Sequence, residues 1–364
     1  MVARINDCIR ALAVKSASPS RGANAVRLDK GEFPYPPSPK VIDAIAAAAG
    51  SVNRYPPMLG GDLRAQLAAY AGVAPEQIAI ANGSDDLIEL VLKTCLPPGG
   101  AVLLPTPTFF VYGFSARVLG GRVVEVPRSS IDFAVDTKAL LARSIPQTHV
   151  LFLANPNNPT GNLMPRAAIV ELLEHFDGWV VVDECYFEYC GETVVDLLSH
   201  YPQLIVLRSL SKSFGLAGLR VGYAIASAEV AGHLYRAAQI FPVNCLALAA
   251  ASAALADCAY FEKTRKQILR DRAALARDLS ALGLTAFPSA ANYLFVSSES
   301  LGLRSDVLVS WLQQQQVWVA DFGSKQGLAP YFWRAAIGLP DENRALLAGL
   351  SSIFTSASGF RSQT

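Results

Sequence analysis

The sequence predicts an α/β fold: a mostly parallel, seven-stranded sheet with helices on both faces, followed by a smaller α+β domain. Seven short apolar runs recur between residues 78 and 225, each trailed by Gly, Pro, Asn or Ser and then by a helical pattern. That alternation belongs to strands whose crossover helices cover both faces of a parallel sheet. The texture changes near residue 245 to long helical stretches and a few short strands. A chain of 364 residues, 52% hydrophobic and 17% charged, is long and apolar enough for one large or two medium packed domains.

In order, the first 40 residues are rich in Pro, Ser and charge and read as an arm (1–40) joining the small domain. An Ala-rich helix follows at 40–49. The strand-like runs are IAIA (78–81), AVLLP (101–105), GRVVEV (121–126), VLFLA (150–154), WVVVD (179–183), LIVLRS (204–209) and RVGYAI (220–225), placing a large domain at 41–245. Helical sequence fills 245–281, including FEKTRKQILRDRAALARDL. Short strands are expected at 292–296, 316–320 and 334–338, giving a small domain at 246–364.

Charge and punctuation exclude several classes of function. The net charge is +1 without a basic block, so neither nucleic acid nor an anionic membrane surface is an expected partner. The longest apolar run, CLALAAASAALA (245–256), falls well short of the roughly 20 residues of a membrane span. Asp7 and Arg10 interrupt the N-terminal segment, which lacks a signal-peptide core. Six cysteines show no CxxC pairing, in keeping with a reducing, cytoplasmic setting, and four scattered histidines carry no metal signature. No metal is expected.

Ligands of open parallel sheets bind beyond the carboxyl ends of the strands. Here five strand ends lead into NGSDD (82–86), TPTFF (106–110), NPNNPTG (155–161), DECY (183–186) and SLSK (209–212). These residues suit the chemistry of pyridoxal phosphate. Gly83, Ser84 and Asp85 open a helix whose free N–H groups suit an anion, although Ser and Asp are also ordinary helix caps. Ser209, Ser211 and Arg220 complete a phosphate cradle. Asp183 ends an apolar strand, where a carboxylate is costly unless a protonated pyridine nitrogen faces it. Tyr186 and Asn158 are candidate donors to the ring oxygen. Phe109 offers a stacking face, or plain core packing. Lys212, alone between serines after an apolar strand, would bond the aldehyde, be displaced by substrate and return as general base.

From about residue 25 to 345 the chain resembles fold-type I aminotransferases of class I/II, closest to the histidinol-phosphate aminotransferase branch. The pieces carrying the resemblance are EFPYPPSP, RYPPMLGGDLR, ANGSDDLIEL, PTPTFFVYG, NPNNPTG, VVDECYFEY, SLSKSFGLAGLRVGY, ANYLF and WRAAIGLPDEN. The resemblance implies that Lys212 carries the cofactor, Asp183 partners the pyridine nitrogen, and Tyr186 and Asn158 hold the ring oxygen. It implies a phosphate site of Ser84, Asp85, Ser209, Ser211 and Arg220, with Phe109 in place of the family's usual stacking Tyr. Tyr55 matches a tyrosine reaching the neighbouring subunit's phosphate, which implies a homodimer. Arg334 matches the arginine that pairs with the substrate carboxylate, and Tyr35 lies on the segment folding over the substrate.

The implied activity is ping-pong transfer of an amino group to a 2-oxo acid, 2-oxoglutarate being the expected acceptor, in amino-acid biosynthesis. Gly31 and Phe33 stand where the family's NENPY has asparagines, and Ala320 where an arginine commonly helps bind a substrate phosphate. With Trp311, Trp318, Phe322, Phe332 and Trp333 nearby in sequence, an aromatic amino acid becomes a rival donor. A lyase resembling threonine-phosphate decarboxylase is a second alternative. A cofactor-binding sensor is a third, disfavoured because about 25 residues precede the homologous region, too few for a helix-turn-helix domain.

Overall fold

The computed structural model describes residues 5–13, 22 and 24–361, with side chains through 353. Part of the 1–40 arm, namely 1–4, 14–21 and 23, therefore lies outside the described residues. Seven strands form the large sheet: β1 (Ile78–Ala81), β2 (Ala101–Thr106), β3 (Arg122–Pro127), β4 (Thr148–Ala154), β5 (Trp179–Asp183), β6 (Leu204–Ser209) and β7 (Gly222–Ile225). Their spatial order is β1-β7-β6-β5-β4-β2-β3. Only β7 runs against the rest, pairing antiparallel with β1 and β6.

Alternation along the strands distributes their side chains between two cores. Val180 and Val182 of β5, with Leu204 and Val206 of β6, join one cluster; Val181, Ile205 and Leu207 join the other. All are fully buried, and each such side chain contributes about 1.5–3 kcal/mol relative to exposure. Helix α1 (Pro39–Ala48) covers the first face. It starts where Ser38 accepts the Val41 amide and Pro39 pre-sets the first turn. Helix α2 (Ser84–Cys95) covers the second face, with Asp85 and Asp86 in its first turn and Lys93 in its last, as the helix dipole favours.

The helical stretch 245–281 is two helices, α3 (Cys245–Leu255) and α4 (Cys258–Ala281), bent by 80° at the break. Ala247, Ala250, Ala251 and Ala254 of α3 pack into the same cluster as α1 and the large sheet. Packing therefore changes partners within α4, between Phe261, which stacks on Phe214 beside this cluster, and Ile268 of the small-sheet core. Among the described residues no single helix is long and apolar enough to cross a membrane.

Beyond α3, an antiparallel sheet of β8 (Thr285–Ala286), β9 (Tyr293–Ser297), β10 (Ala320–Asp321) and β11 (Phe332–Ala336), ordered β10-β11-β9-β8, builds a third core with Leu28 and the Cys185–Tyr189 segment. Val26–Arg27 of the arm pairs in parallel with Val317–Trp318, tying that segment to this half. A buried ion pair, Arg208 of β6 to Glu184 just beyond β5 at 2.9 Å, ties these neighbouring strands of the large sheet.

Candidate active site

Strand register brings the polar strand ends together. Ala154 stands opposite Asp183, Asp183 opposite Leu207, and Ser209 opposite Gly222. The segments leaving β4, β5 and β6 therefore emerge side by side.

Asp183 is buried. Its Oδ2 accepts from the Tyr112 hydroxyl at 2.7 Å and its Oδ1 from the Cys185 amide at 3.0 Å. Burial pushes its carboxyl above the ordinary value; the Cys185 thiol and the two donors above pull it back, and the charge of Asp85 adds to the rise. Both donors are neutral, so the carboxylate is placed to receive a cation.

Lys212 sits in the turn after β6. Its Nζ donates to the Lys30 carbonyl at 3.1 Å, and its own carbonyl accepts from the Tyr189 hydroxyl at 2.8 Å. The ammonium lies 5.9 Å from the centre of the Tyr186 ring. Desolvation, then the positive charge of Arg334, lower its pKa to about 8, against opposing pulls from Cys185, Glu32 and Asp85. The neutral amine is thus within easier reach at neutral pH than that of an exposed lysine.

An anion site adjoins these two groups. Helix α2 opens at Gly83, whose φ of 86° belongs to the left-handed region. A Cβ on Gly222 would lie 2.6 Å from the Gly83 carbonyl carbon and 2.8 Å from the Ser84 nitrogen, so only glycine lets β7 approach the helix N-terminus this closely. Arg220 brings its guanidinium to 3.2 Å from the Asp85 carboxylate. Since that side chain is engaged, the amide of Asp85 is the group the helix end offers. The Ser209 hydroxyl accepts from the Ser211 amide at 3.2 Å, while the Ser211 hydroxyl is buried without a partner. Free amides, an unsatisfied hydroxyl and a guanidinium on one spot describe an oxyanion receptor.

Arg334, on β11, is buried. Its Nη1 donates to Asn158 Oδ1, its Nη2 donates to the Asp29 carbonyl at 2.8 Å, and its Nε is buried without a partner. The guanidinium lies 4.9 Å from the Tyr293 ring centre and 5.4 Å from that of Phe322. Among the described residues no carboxylate forms an ion pair with it. Tyr186 meets Tyr293 edge-on at 5.2 Å, and burial raises its phenol, keeping it a proton donor. Phe109 is half-buried, edge-on to Tyr112 at 5.6 Å.

Tyr55 and Tyr35 stand apart from this group. Tyr55 is 82% exposed and stacks on Phe241 with ring centres 4.6 Å apart. Tyr35 lines a cavity of about 320 Å³ with Ser211, but its ring packs on Phe33 and its charged neighbours are Asp271 and Arg270 of α4. Gly31, with a φ of 63°, adopts the left-handed conformation that glycine and asparagine tolerate best, which accounts for the exchange of one for the other.

Sequence reasoning passed over Tyr112, whose place one helical turn after Phe109 was its only signal. It also passed over Asn157, which is buried and bonded to Thr108, Thr160 and the Pro107 carbonyl while its own carbonyl accepts from the Tyr293 hydroxyl at 2.6 Å.

The two-sheet fold and these groups define a fold-type I enzyme dependent on pyridoxal phosphate. The chain belongs to the class I and II aminotransferases, whose family model matches residues 23–348. It is 36% identical to the histidinol-phosphate aminotransferase of Desulfitobacterium hafniense over 336 residues, 91% of this chain and 92% of that one. It is 39% identical to the protein of the same name from Thermococcus gammatolerans over 288 residues, 78% and 82% of the two chains. The crystal structure of histidinol-phosphate aminotransferase from Sinorhizobium meliloti in complex with pyridoxal-5'-phosphate has a TM-score of 0.86 at 27% identity, covering 98% of this chain and 99% of that one. The residues present here fit the cofactor on two counts: the orphaned Ser211 hydroxyl beside a helix N-terminus, and a buried Asp183 whose hydrogen-bond donors are both neutral.

Proposed function

We propose that this aminotransferase takes histidinol phosphate as amino donor and 2-oxoglutarate as acceptor, in the cytoplasm. The carrying observation is Arg334, a buried guanidinium with an unpartnered nitrogen, close enough to Lys212 to lower its pKa. Any anion gripped there is set beside the amine. Histidinol phosphate has no carboxylate; its anion is a phosphate ester on the carbon next to the amine-bearing one. The acceptor presents a carboxylate at the same place. A planar fork of donors can serve both in turn. The names of the relatives at 36–39% identity support the donor.

Pyridoxal phosphate supplies an aldehyde that accepts the amine and a protonated ring that draws electrons from the bond to be broken. Asp183 stabilises the positive charge at the buried end of the site, and Tyr186 and Asn158 donate to the ring oxygen. The amides of Ser84 and Asp85, with Ser209, Ser211 and Arg220, hold the phosphate. Phe109 shields the ring from water, and Lys212 Nζ takes the proton from the donor's amine-bearing carbon. Tyr35, on the arm, lines the cavity that it shares with Ser211.

A second reading has an observation of its own. Ala320 stands opposite Arg334 across β10 and β11, where a second arginine would strengthen a phosphate site, and Phe322 lies over the guanidinium. Both favour an aromatic donor. Histidinol phosphate assayed against Phe, Tyr and Trp decides between them by kcat/KM; a preference for the aromatic amino acids overturns the first reading. In either case Arg334→Ala is expected to lower kcat/KM for donor and acceptor alike by about a hundredfold, chiefly through KM, as expected for loss of a charged hydrogen-bonding group. Conversion of the bound aldehyde to the amine form on adding donor alone, read by absorbance, distinguishes transamination from decarboxylation.

We also propose a homodimer in which Tyr55 reaches the partner's phosphate site; its 82% exposure in the single chain supports this. Tyr55→Phe should weaken cofactor retention about tenfold, the scale of one hydrogen bond to a charged group. Mixed with Lys212→Ala chains it should recover activity in hybrid dimers, and no recovery would show the sites to be unshared.

A further inference from the structure

We propose that Glu188 is a positioning residue for Lys212, bracing the Ser211–Phe214 turn from behind as a protonated carboxyl. The inference rests on the reading of Lys212 as the cofactor-bearing amine. Glu188 lies on the one-turn helix Phe187–Cys190 directly after Tyr186, is buried, and takes no part in the steps above. Its neighbour Tyr189 holds the Lys212 carbonyl, and its neighbour Phe187 carries the Arg208 guanidinium 3.6 Å above its ring. The carboxyl itself accepts one long hydrogen bond, from Tyr70 at 3.5 Å. Its Oε2 is buried without a partner, and so is the hydroxyl of Ser213, the residue next to Lys212, which lies near enough to the carboxyl to favour its ionised form against burial.

No uncommitted cation faces this group. Arg208 of β6 favours the ionised form, but both its Nε and Nη2 donate to Glu184, whose own charge opposes. Arg265 of α4 reaches only the Glu188 backbone carbonyl, at 3.3 Å, and pairs its charge with Glu262. Tyr70, Tyr189 and Tyr223 are phenols kept neutral by burial. Burial therefore dominates and lifts the Glu188 carboxyl to about 7. A proton on Oε2 turns that atom into a donor and gives the Ser213 hydroxyl its missing partner, satisfying two orphaned groups together. The turn that carries Lys212 is then held through the Lys212 carbonyl by Tyr189 and through Ser213 by Glu188.

The test compares Glu188→Ala and Glu188→Gln with the parent chain. Loss of the brace should cost Glu188→Ala about tenfold in kcat while KM for the donor stays nearly unchanged, because Arg334 is untouched. Glutamine keeps the shape and a donor at every pH, so Glu188→Gln should recover most of kcat. Cofactor-free protein supplies an independent readout. A carboxyl whose folded pKa of about 7 exceeds the ordinary 4.5 binds more protons folded than unfolded, so its contribution to stability falls as pH rises between those values and is level above them. The urea midpoint of Glu188→Gln should therefore draw ahead of the parent across that window. A midpoint difference that does not vary with pH, or a glutamine variant no more active than the alanine variant, overturns the inference. If the parent chain bears its cofactor on a lysine other than Lys212, the reading of the site falls and the inference with it, a failure visible by peptide mapping.

Discussion

Lys212→Ala is expected to abolish turnover, by roughly 10⁵–10⁶-fold, the scale seen when a residue that serves as both nucleophile and base is removed. The amine has two jobs, and each depends on its being unprotonated part of the time. Burial and the charge of Arg334 bring its pKa to about 8, so alanine removes a group already tuned for the work. The fold should survive. Only the bond from Nζ to the Lys30 carbonyl is lost, while the Lys212 carbonyl keeps its bond from Tyr189, and a change of about 1 kcal/mol or less in urea unfolding is expected. Borohydride reduction followed by mass spectrometry should find cofactor fixed to the Lys212 peptide of the parent chain and absent from the variant. Retained turnover would end the assignment.

Asp183→Asn is expected to lower kcat by about 10²–10³-fold, the size of a preorganised electrostatic contact, without weakening the helix-end phosphate site. Asparagine fills the same space between Tyr112 and the Cys185 amide but cannot stabilise a positive charge. Stability of the cofactor-free protein should move the other way. The folded-state carboxyl is raised, so the parent chain loses stability as pH climbs above the ordinary value near 3.8, and the neutral amide does not. The variant should therefore be the more stable protein at neutral pH and the poorer catalyst. An activity loss accompanied by a large fall in stability would instead make Asp183 a structural residue.

Much of this architecture can be read from local pattern. Each strand of the large sheet lies within two residues of its sequence expectation, because a buried parallel strand is a short apolar run and its end is marked by residues that cannot continue it. The same rule exposed Asp183 and Lys212, polar groups at the end of, or just beyond, such runs. One feature escaped it. The last strand of the small sheet, Phe332–Ala336, likewise lies within two residues of the expected 334–338, but the 316–320 strand is two separate two-residue pieces. Val319 between them continues the apolar run, so no residue type marks the break.

Composition, strand order along the chain and the proposal of Lys212 as the amine and Asp183 as its carboxylate counterpart thus follow from residue type and spacing, which are local. Contacts between distant segments do not. Tyr112 meets Asp183 across 71 residues, Arg334 meets Asn158 across 176, and the alanine face of α3 joins the large sheet's core. Those pairings are set by strand register and by how closely helices can pack. They leave no periodicity of their own, and they are what gives the lysine its lowered pKa and the arginine its place beside it.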